Sequence, residues 1–189
     1  FEIKDGSLSI NSKSSGFVTI VHDPWRPVHS EGGHLGQNPG LFDRSKIDQR
    51  LDIAVFQTHY LKENIHLSGI PTLNTAVTSD QESFDICVAL SLINGEDETI
   101  NQFTTGFLRI KKAIKDVEKD YTVNLHPTNI SIPKGSKLRL SIAASAWPAI
   151  GVNPGNNKLR CGNTTVEHKI ITLNFNLKKS IMKISPFFK

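Results

Sequence analysis

Wherever a period can be read in this chain, its apolar residues recur at every second position. No other feature restricts the possible folds as much. Phe84, Ile86, Val88, Leu90 and Leu92 alternate with Asp85, Cys87, Ala89 and Ser91. Leu138, Leu140 and Ile142 alternate with Arg139 and Ser141, and Ile171, Leu173, Phe175 and Leu177 with Thr172, Asn174 and Asn176. Leu51, Ile53 and Val55 alternate with Asp52 and Ala54. Side chains on a strand point alternately to opposite faces, so each run predicts a strand with one buried and one wet face. Antiparallel sheets packed on one face read this way, whereas parallel α/β sheets read as unbroken apolar runs. Residues 17–21, 65–67, 73–77, 108–110 and 121–125 predict further strands. Gly69-Ile-Pro71, Asn94-Gly95, Pro133-Lys-Gly135 and Asn153-Pro-Gly155 are turn signals between the runs. With no amphipathic helical run of about 12 residues, the pattern predicts an all-β chain, a β-sandwich or jelly roll. Residues 44–50 are a short helix candidate, and 110–119 read either as a helix or as a strand end followed by a charged hairpin. The segment 22–42 holds three Pro, four Gly and three His with almost no periodicity. A loop of that length in a compact domain is functional, interfacial or disordered.

The 189 residues suffice for one domain over residues 1–189, and a chain of this size buries roughly 70% of its unfolded surface without a disulfide or metal. Hydrophobic residues at 38% and charged residues at 21% describe a globular domain. No apolar run approaches the ~18 residues of a transmembrane helix. The net charge of +4 comes mainly from scattered Lys, whereas base and phosphate recognition favours Arg forks. Lys169, Lys178, Lys179, Lys183 and Lys189 follow the last acid, Glu167, and read as a solvated tail. Neither a nucleic-acid nor a membrane partner is expected. Cys87 and Cys161 read as free thiols. The sequons at Asn129 and Asn163 matter only in a secreted protein, and no signal peptide is visible. The chain opens on Phe1 rather than Met, which predicts a piece of a longer polypeptide.

No catalytic or metal centre stands out. There is no G-x-S-x-G, so a nucleophile elbow is missing from this sequence. Ser180-Ile-Met-Lys183 matches S-x-x-K without its partner motifs. Cys87 lies in a strand pattern, where a reactive thiolate would need a nearby cation and access. His22, His29 and His34 with Asp23 and Glu31 match no metal-ligand spacing and read as polar loop. Asp43, Asp48 and Asp52 lack the spacing of a calcium loop and are expected to cap turns and pair with Arg44 or Arg50. Neither a metal nor a cofactor is expected. Trp25 and Trp147 both lie in Pro-containing loops, where a large aromatic packs under a loop, at an interface or on a sugar ring.

Several blocks share an order and spacing with a known family. His22-Asp-Pro24, Pro27-Val28 and Gly32-Gly33 come first, then Asp48-Gln-Arg50-Leu-Asp52 with Phe56-Gln-Thr58 and Leu61. Gly69-Ile-Pro71, Thr78-Ser-Asp80, Phe84-Asp-Ile86 and Thr105-Gly-Phe-Leu-Arg109 follow. Leu125, Pro127-Thr128, Ile132-Pro133, Gly135, Leu138-Arg-Leu140, Ile142, Ser145, Pro148 and Asn153-Pro-Gly155 complete the series. Across about residues 20–178 the chain resembles the C-terminal, non-catalytic domain of the X-Pro dipeptidyl-peptidase and cocaine-esterase (CocE/NonD) family of serine hydrolases. It departs from the family at Ser136-Lys137, where His-Arg is usual, at Ala149, where Arg is common, and at Lys111, Lys112 and Lys115, which replace Arg.

The resemblance implies a jelly-roll sandwich of galactose-binding-like fold. That domain packs against an α/β-hydrolase catalytic domain of the same parent chain. The parent would cleave a small acyl ester or a peptide, with its triad upstream of these residues. The wall or interface elements would be the loops 22–42 and 100–107, with Trp25, Phe103 and Trp147 as interface or pocket aromatics. The alternative is a carbohydrate-binding module on the same sandwich, because one fold hosts many functions.

Overall fold

The computed structural model describes residues 2–4, 7–9, 16–33, 38–95, 99–158 and 167–184. Its strands are β1 (Glu2–Lys4), β2 (Ser7–Ser9), β3 (Phe17–His22), β4 (Phe42–Asp43), β5 (Ile53–Gln57), β6 (Ile65–Gly69) and β7 (Thr72–Ser79). They continue as β8 (Phe84–Ile93), β9 (Ile100–Ile110), β10 (Lys119–Asn124), β11 (Thr128–Ile132), β12 (Lys137–Ala143) and β13 (Ile171–Ile184). A 3-10 turn at Ile47–Gln49 is the helical element among the described residues. One sheet runs β4-β9-β8-β12-β5. The other runs β1-β2-β13-β7-β10, with β3 also against β13, and β6 and β11 form a ribbon. Every strand pairing is antiparallel. The chain is an all-β sandwich, as its periodicity predicts.

The in-phase residues of both sheets meet in one core. Phe84, Ile86, Leu90, Leu138 and Leu140 join Ile20, Leu73, Val77, Leu173 and Phe175 there. Each such side chain contributes about 1.5–3 kcal/mol on burial. On β13 the alternation is as expected, with Ile171, Leu173 and Phe175 buried and Thr172 and Asn174 half-exposed.

On β8 it is not. Asp85, Cys87, Ala89 and Ser91, expected on a wet face, are all buried. A second layer covers the outer face of the five-stranded sheet. Val28, Ile53, Cys87, Ala143 and Ala146 form its cluster, with Ile47, Val55, Phe107 and Ile150 packed against them. The sheet is therefore buried on both sides at its centre.

Three further expectations change. Residues 100–107 are not a loop but the first part of β9, paired with β8 from Ile100↔Ile93 onward. Of the two readings of residues 110–119 the helix fails and the strand end holds: β9 ends at Ile110, and 111–118 form turns before β10. Residues 44–50 hold only the short 3-10 turn.

Candidate functional site

The family-like residues build a scaffold rather than a reaction centre. Asp85 is fully buried on β8. It accepts hydrogen bonds from Arg109 Nε at 2.8 Å, Arg109 Nη2 at 2.7 Å and Asn153 Nδ2 at 2.9 Å. Arg109 Nη2 also donates to the Gly151 carbonyl, and Asn153 Oδ1 accepts from Gly155 N at 3.0 Å. One buried carboxylate thus ties the Asn153-Pro-Gly155 turn to β8 and β9.

Asp48 does the same for the 3-10 turn. It accepts from Arg44 Nε at 2.9 Å and Ser141 Oγ at 2.8 Å, with Arg139 Nη1 at 3.5 Å. Arg44 Nη1 donates to Gln102 Oε1 at 2.7 Å, and Gln102 Nε2 donates to the Glu31 carbonyl at 3.0 Å. Burial lowers the Arg44 pKa, and Asp48 opposes that shift. The double glycine serves the same layer. Gly32 has φ of 68°, and a Cβ there would stand 2.5 Å from Phe42 Cβ and 2.8 Å from the Gly40 carbonyl. Only glycine accommodates both the backbone angle and that approach.

A third pair carries the loop of Trp25. Arg50 grips Asp52 through Nε at 2.8 Å and Nη2 at 2.7 Å, and Nη2 also reaches the Arg26 carbonyl at 2.8 Å. Asp23 Oδ1 accepts from Trp25 N at 2.9 Å, closing the turn. Trp25 is held up with 63% of its surface exposed, against the His168 ring at a centroid distance of 4.7 Å. Beside it, Arg50, Asp52, Asp23, Arg26, Thr19, Val21 and Leu51 line an open groove of about 540 Å³. Val21 is 51% and Leu51 101% exposed, and Ile170, two residues after His168, is 50% exposed. The sequence reading missed these three. The signal for Val21 was legible, because Phe17-Val18-Thr19-Ile20-Val21 is strand-forming on both phases rather than alternating.

Trp147 stands on the neighbouring loop. Its backbone accepts from Ser30 N at 2.7 Å and donates to Val28 O at 2.9 Å. Its ring meets His29 edge-on at 4.9 Å, and 42% of the residue is exposed. The segment 25–30 therefore connects the two tryptophans. Phe103 does not join them: it is half-buried on β9 and packs against the main core.

The remaining reactive groups are placed as structure. Burial pushes the Cys87 thiol well up, which makes it a poor nucleophile. Ser180 Oγ is shared between Thr75 Oγ1 and the Asn176 carbonyl, both at 2.7 Å. Ser131 Oγ lies 2.9 Å from His66 Nδ1, as a solvent-exposed cross-strand contact. His22 is buried and His29 packs on Trp147, so the loop histidines diverge; His34, Cys161 and Asn163 lie outside the described residues. No group of three or more His, Cys, Asp or Glu side chains placed to hold a metal ion occurs among the described residues. No helix among them is long and apolar enough to cross a membrane.

Against known families, residues 4–180 match the X-Pro dipeptidyl-peptidase C-terminal non-catalytic domain. The chain belongs to that family. Solved structures share its fold. An aminopeptidase from a marine-sediment Thaumarchaeota archaeon and an α-amino acid ester hydrolase each superpose with a TM-score of 0.77 at 15% identity over 93% of this chain. A CocE/NonD family hydrolase from Staphylococcus aureus superposes with a TM-score of 0.59 at 14% identity over 96% of it. The chain spans only 34%, 33% and 36% of those three proteins. No curated protein matches it in sequence.

Proposed function

We propose that this domain, residues 1–189, is the docking and positioning unit of a hydrolase that cleaves acyl esters or peptide bonds, with the catalytic domain elsewhere in the same polypeptide. The observation that carries the reading is the exposed apolar surface of Trp25, on a loop that Arg50, Asp52 and Asp23 hold fixed, together with Val21, Leu51 and Ile170. A non-catalytic domain of this family has a neighbour to offer such a surface to. Contiguous exposed apolar area rimmed by charge is the mark of a protein contact. Trp147 extends that surface past His29. Packed against a catalytic domain, the two tryptophans would exclude water from one side of its pocket and help hold a small acyl or peptide substrate in place.

The test is a pair of assays. The 189-residue chain alone should not hydrolyse p-nitrophenyl esters or X-Pro dipeptide substrates, whereas the parent should. In the parent, Trp25→Ala and Trp147→Ala should raise KM or separate the unfolding of the two domains. Turnover by the isolated chain would overturn the reading.

A further inference from the structure

We propose that the open edge of β3 is completed by main-chain pairing with an extended segment of the preceding, catalytic part of the parent chain. This rests on the docking reading above and says which edge is used and how. β3 pairs only with β13, from Phe17↔Asn176 to His22↔Ile171. Its other edge has no ladder among the described residues. β5 stands next to it at the edge of the opposite sheet and, among the described residues, pairs only with β12. The two edges therefore frame one open side of the sandwich.

Uncovered edges are normally blunted by charge, proline or shortness, because a free row of N–H and C=O groups templates another strand. Other edges here follow the rule: β10 carries Lys119 and Asp120, and β4 is two residues long. The open side does not. Phe-Val-Thr-Ile-Val-His on β3 and Ile-Ala-Val-Phe-Gln on β5 contain no Lys, Arg, Asp, Glu or Pro. Phe17, Thr19 and Val21 are all exposed on the outward face of β3. Between the two sheets on this side lies a mainly apolar cavity of about 20 Å³, lined by Val18, Phe56 and Leu177 among others with Ser180 as its one polar residue, and Val18, Phe56 and Leu177 are only half-buried. A gap so apolar stays dry, so apolar side chains laid over its half-buried rim would be favourable there.

The occupant follows from connectivity. β7 takes one edge of β13 along its length, so β2 and β3 share the other. The chain therefore enters the domain along the flank on which β3 lies open. The family is a C-terminal domain, and the solved relatives are about three times as long as this chain. Most of the parent therefore lies on that entering side. The pairing segment would be extended and uncharged, with apolar residues at alternate positions over the Val18–Phe56 gap.

Hydrogen–deuterium exchange on the full-length parent tests this. Amides of residues 17–22 should all be protected, exchanging about tenfold or more slower than the outer-edge amides of β10. Val21→Lys, at an exposed position, should raise β3 exchange about tenfold and leave β8 unchanged. Ile70→Lys, equally exposed beyond β6, should change neither. If alternate β3 amides in the wild-type parent exchange as fast as those of β10 while both domains still unfold together, the pairing is refuted and the docking reading stands. If the domains unfold independently, both fall. Protection that disappears on dilution would assign the edge to a second copy of the chain and refute the proposal.

Discussion

Arg109→Met should cost about 3 kcal/mol, far more than an ordinary surface ion pair. The Asp85 carboxylate has 0% of its side chain exposed, while Arg109 is 30% exposed. Removing the arginine leaves a buried charge with a single remaining side-chain donor, Asn153 Nδ2. Breaking a buried pair from one side typically costs about 3–5 kcal/mol, whereas exposed pairs contribute about 0–1. The low end applies because Asn153 stays in place and water can follow the vacated guanidinium. For a domain of this length that is a fall in Tm of roughly 6–12 °C. Asp85→Leu combined with Arg109→Met removes both charges and strands only the Asn153 amide, at about 1–3 kcal/mol. The double variant should therefore be no worse than Arg109→Met alone, a strongly non-additive result. Urea unfolding of the two single variants and the double reads all of this. A loss below about 1 kcal/mol for Arg109→Met would show that the carboxylate is solvated, and the strut argument would fail.

Three other outcomes follow from the packing. Gly106→Ala should destabilise by about 1–3 kcal/mol or more, because the new Cβ would stand 2.6 Å from Asn124 O and 2.8 Å from Leu125 Cα, both backbone; wild-type stability would refute it. Burial lowers the His22 pKa, against the pull of Asp52, Asp85 and Asp23, and Arg50 reinforces the lowering. The unfolded chain then binds the proton first, so stability is whole above about pH 6.5 and falls as the pH drops below it. His22→Leu should flatten that slope between pH 8 and 5.5, and an unchanged slope counts against it. Native Cys87 should react with iodoacetamide only at the rate of domain opening, which mass-spectrometric mapping of the labelled thiol would follow.

The sheets were legible because burial on one face leaves a two-residue period, as in Ile171-Thr-Leu-Asn-Phe175. The second layer was not. Once the outer face of β8 and β9 is covered, polar residues there must find partners inside the protein. Gln102 does so, accepting from Arg44 and donating to the Glu31 carbonyl. Residues 100–107, with Asn101-Gln102 and Thr104-Thr105 as adjacent polar pairs, show no two-residue period, which is why they suggest a loop. β11 went unread for a different reason: five residues between Pro127 and Pro133 look like punctuation, yet they pair in full with β6 from Thr128↔Gly69 to Ile132↔Ile65. Of the aromatic candidates, Trp25 and Trp147 are exposed on their Pro-containing loops, whereas Phe103 lies on a strand where a loop was expected.

The motifs and the exposed surface divide the work between them. Asp85, Arg109 and Asn153, with Asp48, Arg44 and Gln102, spend buried polar groups on fixing where two outer segments lie. Burying charges this way gains little net stability over an apolar core. What it does fix is direction, because each carboxylate accepts from particular atoms on particular segments. Trp25, fixed through Asp23 and the Arg50–Arg26 contact, and Trp147, fixed through Val28 and Ser30, likewise project from anchored backbone, so a partner meeting them would order those loops at little cost. The buried polar struts are thus a step away from the exposed apolar residues. Val21, Leu51 and Ile170 add to that exposed surface, and their exposure only became visible once the strands beside them had been placed.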